Sequence, residues 1–226
     1  MKRLGIKIVL VAATLGLSSC NKGGTSSVNN SDASKEGSLY SSQSDAELNP
    51  ADYISWCRDK ENGLQKSKEI EELTYSVQYK PGPYIACLEE QSRTMPADTL
   101  AKKLSELEGL DYFDFKIEIT SGAGELLKHN VPSSAEYNQR VNYFAFDMQK
   151  DIKLVRGRDT LDCKLFHFER AYDVAPFAVF LLGFPKVNGT AEPVEFFYQD
   201  NVFHKGIIKF TYSPETFSRI PKLKTI

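Results

Sequence analysis

The clearest periodicity in the chain runs from Phe113 to Thr120, where Phe113, Phe115, Ile117 and Ile119 alternate with Asp114, Lys116, Glu118 and Thr120. Successive side chains on an extended strand point to opposite faces, so this pattern predicts a strand with one face in a core and one in water. Leu73, Tyr75, Val77 and Tyr79 alternate with Thr74, Ser76 and Gln78 and predict a second strand. Shorter apolar runs at 84–88, 141–148, 152–155, 161–169, 174–182, 194–198 and 206–212 read as further strands. Arg156-Gly157-Arg158-Asp159, Asn188-Gly189 and Asp200-Asn201 supply turn chemistry between them, because Gly and Asn accept positive φ.

Helical signals are fewer. Pro50-Ala51-Asp52 opens a short helical stretch through Tyr53-Ile54-Ser55-Trp56-Cys57-Arg58 that closes near Asn62-Gly63. A second is capped by Asp98, with Leu100, Leu104 and Leu107 recurring at helical spacing, read as core-facing, before Gly109. Ser134 to Arg140 supplies a third helical turn. About nine strands with few helices between them predict a mainly β fold: an antiparallel β-sandwich or open barrel with two or three short helices. Residues 50–226 form one globular domain on this reading, with no internal repeat.

The N-terminal residues follow a different logic. Lys2, Arg3 and Lys7 are followed by an uncharged run of ten residues, Ile8 to Leu17. That is half the roughly 20 residues a membrane-spanning helix needs, so residues 1–19 read as a signal peptide. The segment ends in Leu17-Ser18-Ser19-Cys20. In these residues the chain resembles the bacterial lipoprotein family. The resemblance implies that the Cys20 thiol takes a diacylglyceryl thioether, that cleavage occurs just before it, and that the new amine is acylated. Two or more acyl chains hold a protein stably on a bilayer, whereas one holds it only marginally. Asn21 stands where an inner-membrane retention signal would place Asp, which favours the outer membrane. The absence of an acidic cluster at 21–25 favours a periplasm-facing orientation and leaves surface exposure open.

Residues 20–49 read as the lipidated Cys and its tether. Positions 21–49 hold eight Ser, four Asn and three Gly with no periodic apolar face, too little burial to offset ordering entropy. As a flexible coil this stretch spans roughly 30 Å root-mean-square. The formal charge of −2 becomes −5 once the three basic residues of the signal are removed. A mildly acidic body excludes nucleic-acid binding driven by bulk positive charge, and it leaves the lipid as the only hold on an anionic membrane.

With Cys20 lipidated, Cys57, Cys87 and Cys163 remain, an odd number for an oxidising compartment. Cys57 and Cys87 are the nearest pair for a disulfide, whose loop closure would stabilise by roughly 3–4 kcal/mol; three buried thiols are the alternative. No Cys-x-x-Cys spacing suggests zinc or thioredoxin-like chemistry. The chain also lacks a Gly-x-Ser-x-Gly elbow, a His-Glu-x-x-His pair, a P-loop and a dinucleotide fingerprint.

The most site-like stretch is Cys163-Lys164-Leu165-Phe166-His167-Phe168-Glu169-Arg170. Cys163 and His167 would lie about 13 Å apart along a strand, too far for a thiol-imidazole pair. His167 and Glu169 share one face and are candidates for an acid-base element, weighed against a plain polar pair at a sheet rim. His129, His167 and His204 sit on separate segments, so no metal site and no cofactor are predicted. Asp147, Asp151, Asp159 and Asp162 surround one hairpin without the spacing of a calcium loop and read as a solvated turn. Asp159-Thr160-Leu161 and Asp98-Thr99-Leu100 resemble the O-glycosylation acceptor of secreted Bacteroidota proteins, with Thr160 the better-exposed candidate; Asn188-Gly189-Thr190 is read as a turn. The body, with its His-Phe-Glu-Arg strand and closing Ile220-Pro221-Lys222-Leu223-Lys224, is similar to Bacteroidota envelope lipoproteins, a likeness that implies no activity.

Two functions fit these readings. One is a non-enzymatic accessory that binds an envelope protein or a glycan. The other is an envelope hydrolase, which requires a hollow holding two or more of His167, Glu169, Asp162 and neighbouring acids.

Overall fold

Alternating strands build two antiparallel sheets that face each other. In the computed structural model, which describes residues 46–169, 175–186 and 192–226, the larger sheet has five strands. They are β2 (Gln65–Ile70), β3 (Leu73–Lys80), β4 (Leu110–Ile119), β8 (Phe177–Pro185) and β7 (Leu165–Glu169), side by side in that order. The smaller sheet runs β10 (Gly206–Tyr212), β9 (Val194–Asp200), β5 (Ile152–Arg156), β6 (Asp159–Asp162). Every neighbouring pair in both sheets is antiparallel. The fold is thus mainly β and sandwich-like, as the alternation predicts. The signal segment 1–19, Cys20, the tether up to residue 45, Arg170 and the Asn188-Gly189-Thr190 turn lie outside the described residues.

Aromatic side chains fill the space between the sheets. Phe115 of β4 lies 5.2 Å from Phe196 and 5.1 Å from Tyr198 of β9, centroid to centroid. Phe113 makes an edge contact with Phe184 at 5.8 Å and lies 5.9 Å from Tyr212. Burying each ring stabilises by about 1.5–3 kcal/mol, with about 0.5–1.5 kcal/mol more for each well-oriented pair. A second, smaller cluster joins Tyr53 and Cys57 of α1 (Pro50–Arg58) to Tyr84, Ala86 and Cys87 of α2 (Gly82–Glu90).

Four stretches depart from expectation. Residues 84–88, expected as a strand, lie in α2, which Pro81-Gly82-Pro83 starts and whose Tyr84 and Cys87 are buried at helical spacing. Residues 141–148, also expected as a strand, continue α4 (Ser134–Asn142) into a wide helical turn, Tyr143–Asp147. Ser133 starts that helix, since its Oγ accepts from the Glu136 amide at 3.3 Å and donates to the Glu136 carboxylate. Phe144 and Met148, four residues apart, then reach the core together. The run at 161–169 is two strands: the chain leaves the small sheet after Asp162 and joins the large one at Leu165. Strand β2, whose sequence is Gln-Lys-Ser-Lys-Glu-Ile, carries no apolar alternation and was not predicted.

There are five α-helices among the described residues rather than two or three. The additions are α2 and the short α5 (Pro214–Ser218). In α3 (Ala97–Glu106) Asp98 lies within the first turn and its side chain accepts from Thr99 N at 2.8 Å, so it does not cap the helix. The folded body also begins earlier than Pro50. Glu47–Leu48 form β1, paired in parallel with β11 (Lys222–Leu223), and Asn49 caps α1 by accepting from Asp52 N at 3.0 Å.

One end of the aromatic core is closed by Asp200, only 2% exposed at the inner face of β9. Its carboxylate accepts from the hydroxyls of Tyr75 (2.7 Å) and Tyr198 (3.3 Å), and from the amides of Val202 (3.1 Å), Phe203 (3.0 Å) and Lys205 (3.3 Å). Tyr75 comes from the opposite sheet, so one carboxylate links the two sheets and fixes the β9–β10 turn. Asp200→Ala strands five donors and is expected to lower stability by about 4 kcal/mol, against about 2 kcal/mol for Tyr75→Phe, which leaves four. Urea unfolding of both variants checks this; equal costs would show that the turn amides find other acceptors.

Candidate functional site

The chain leaves β3 at Lys80, passes through Pro81-Gly82-Pro83 into α2, continues through α3, and re-enters the large sheet at Leu110 after Gly109, whose φ is +89°. This excursion leaves a cleft of about 490 Å³ at the end of the sandwich, beneath α3. Pro81, Leu104, Leu107, Leu110 and Tyr112 line its apolar part. Lys80, Glu108, Asp111 and Lys186 supply its charges. Leu104, expected in the core, is 37% exposed here because α3 turns this flank of its leucine stripe toward the cleft. Gly82 allows it to lie close: a methyl added there would stand 2.7 Å from Leu104 Cδ2 and push the leucine outward.

At the cleft's inner wall Asp111 is 5% exposed. One carboxylate oxygen accepts from Arg156 at 3.0 Å, and the other from the Tyr79 hydroxyl at 3.3 Å. Arg156 belongs to β5, so this ion pair spans the two sheets at the end opposite Asp200. Burial, then the Asp111 charge, raises the Tyr79 phenol well above its ordinary pKa, so Tyr79 stays neutral and donates. Lys80 pairs with Asp114 at 2.9 Å on the rim. The arrangement can present apolar surface and fixed charge to a ligand. Both Asp111 oxygens are engaged, so the carboxylate ties Tyr79 of one sheet to Arg156 of the other.

The sequence-derived candidates lie elsewhere. His167 and Glu169 are on the outer face of β7, opposite Leu181 and Val179 of β8, while Phe166 and Phe168 of the same strand pack inward against Phe180. Asp162 pairs with Lys153 at 2.7 Å on the exposed β5–β6 hairpin. These three residues do not line the cleft. Asp147 pairs with Lys150, and Asp151 accepts from the Tyr143 hydroxyl at 2.6 Å, so the hairpin acids are engaged separately. Among the described residues no group of three His, Cys, Asp or Glu is placed to hold a metal ion. His129 lies 3.5 Å from Glu72, and His204 occupies a left-handed turn position. Thr160 is exposed on β6, opposite Val155.

Cys57, Cys87 and Cys163 are free thiols in this structure, rather than the disulfide expected between Cys57 and Cys87 and one spare. The fold nevertheless brings Cys57 and Cys87 into the same cluster between α1 and α2. Cys163 marks the crossing between sheets: its thiol donates to Leu165 O at 2.9 Å, and its carbonyl accepts from Gln149 at 2.8 Å. Asp111 escaped sequence reading and Arg156 was read only as part of a turn, although a signal was present. Each occupies the inward position of its strand's alternation, in register with Phe113, Phe115 and Ile117, or with Ile152 and Leu154.

No protein-family model, curated protein or solved structure matches the chain.

Arg156→Ala leaves the buried Asp111 charge without its partner and is expected to cost about 3–5 kcal/mol, whereas the joint change Asp111→Leu with Arg156→Met lies near neutral. A double-mutant cycle by urea unfolding measures this, and a cost under about 1 kcal/mol for Arg156→Ala would refute the burial of the pair. Burial pushes the Cys57 thiol up to about 12 and those of Cys87 and Cys163 up to about 11, from 9.0. Raised folded values mean that the thiols' contribution to stability is complete below about pH 9 and is lost as pH rises through 11–12. Thiolate absorbance of the reduced native protein is therefore expected to stay flat at pH 9–10 and to rise there once the chain is unfolded in urea.

Proposed function

We propose that this protein is a lipid-anchored lipoprotein of the cell envelope, held in the outer membrane through Cys20 and facing the periplasm. In this reading its sandwich is a non-enzymatic binding module for an envelope protein or a glycan. The lipobox-like Leu17-Ser18-Ser19-Cys20 supports the address. No helix among the described residues is long and apolar enough to cross a membrane; in the proposed reading the acyl chains on Cys20 carry the attachment.

One observation carries the binding reading. The cleft under α3 combines exposed apolar surface at Leu104 with a neighbouring carboxylate whose oxygens are already occupied. Clefts that receive a ligand are largely apolar with a few fixed polar groups, and here the polar group at the inner wall is held in place by Arg156 and Tyr79. His167, Glu169 and Asp162, on which a hydrolase would depend, gather in neither this cleft nor the other cavity described below.

A photo-crosslinking side chain at position 108 of the same cleft, in the full-length protein solubilised from envelopes, is expected to capture one predominant protein, or the protein is expected to bind a defined set of glycans on an array. Leu104→Glu should reduce either signal at least tenfold. Mass spectrometry of the purified protein should find a diacylglyceryl adduct on Cys20. An unmodified Cys20 refutes the anchor, and capture unaffected by Leu104→Glu refutes the cleft.

A further inference from the structure

A second concave surface lies on the long side of the sandwich, between β2 and β10, the free edges of the two sheets. It encloses about 440 Å³ and is lined by Lys66, Ser67, Lys68, Lys209, Phe210 and Thr211. Lys66 Nζ stands 5.3 Å from the centre of the Tyr212 ring, and Lys68 Nζ 5.7 Å from that of Phe210. As β2 advances by two residues β10 retreats by two, so the two edges run antiparallel across the groove.

The backbone of β2 is open on this side. Leu64 O accepts from Tyr79 N at 2.9 Å, and the register pairs Lys66 with Val77, Lys68 with Tyr75 and Ile70 with Leu73. Hydrogen-bonded pairs recur at every second residue of an antiparallel ladder, so Lys66, Lys68 and Ile70 direct their backbone groups to β3. Gln65, Ser67 and Glu69 therefore direct theirs to the free edge. This accounts for Ser67 in the groove wall although its side chain is on the outer face.

We propose that this groove docks an extended acidic segment of a partner polypeptide, added as a further strand along β2. The proposal is independent of the cleft and of its ligand. Charge selects the occupant. Lys66 and Lys68 sit on the inward face and make no ion pair with a carboxylate among the described residues, whereas Lys209 is paired with Glu195. Inward lysines on an edge strand deter a neutral strand, which would have to desolvate them. A strand with Asp or Glu at alternate positions meets them instead: its inward side chains repeat every second residue, about 6.8 Å, as Lys66 and Lys68 do. Main-chain bonds to Gln65, Ser67 and Glu69 would supply affinity, and the two lysines specificity.

The test uses the full-length protein in detergent micelles and a fluorescein-labelled seven-residue peptide alternating Glu with Val or Thr, read by fluorescence anisotropy. The acidic peptide is expected to bind and its Lys-for-Glu counterpart not. Charge reversal by Lys66→Glu with Lys68→Glu should weaken binding at least tenfold, and Leu104→Glu should leave it unchanged. A peptide of the same charge, N-methylated at alternate residues so that it cannot join a ladder, should bind at least tenfold more weakly. Equal binding of the N-methylated peptide, or of heparin, would reduce the groove to a non-specific cation patch and overturn the proposal. Failure of the acidic peptide to bind would overturn it as well. So would binding to phosphatidylglycerol vesicles that the double variant abolishes while the peptide is ignored.

Discussion

The architecture depends on excluding water from between two aromatic sheet faces whose ends are closed by buried carboxylates. Phe113, Phe115, Phe180, Phe196 and Tyr198 provide the apolar area, but a sandwich is open at its ends, where inward positions run out of core to face. Here an aspartate occupies such a position at either end, Asp111 on one sheet and Asp200 on the other. Each binds a group from the sheet opposite, Arg156 for Asp111 and Tyr75 for Asp200. The geometric consequence is registration: sliding one sheet over the other would expose a carboxylate to an apolar neighbour. Non-directional packing makes the sheets adhere, and directional bonds at the ends select one alignment.

Much of the fold was legible because period-two alternation survives in strands with one wet face. β3, β4, β9 and β10 are all of this kind. The failures share a cause. Residues 84–88 and 141–148 are short apolar runs, for which period alone does not separate strand from helix; start signals decide, Pro81-Gly82-Pro83 for one and Ser133 with Glu136 for the other. β2 was hidden because its inward face carries lysines that lie across aromatic rings of the other sheet, so its sequence is that of an exposed loop. The leucines of α3 show that helical spacing identifies an apolar face without saying whether a core or a cleft receives it.

The cleft itself was not legible, since it is made by segments far apart in sequence. Arg156 and Asp111 are 45 residues apart, and their pairing follows only once the sheets are stacked. Its inner wall could have been suspected from a simpler rule: a charged residue in register with phenylalanines must find a partner inside. His167 and Glu169 drew attention for the opposite reason. They are conspicuous by type, yet their strand turns its phenylalanines inward and leaves them on its outer face.

The pairing of β1 with β11 joins the first and last strands among the described residues. Lys222 N donates to Ala46 O at 3.0 Å and Lys224 N to Leu48 O at 2.8 Å, while Ile226 exchanges backbone bonds with Met95 and Ala97 at the start of α3. A pull arriving from the N-terminal side of Ala46 is therefore borne first by the C-terminal strand, and through Ile226 by the helix that roofs the cleft. Traction from that side reaches the wall of the hollow as well as the strands.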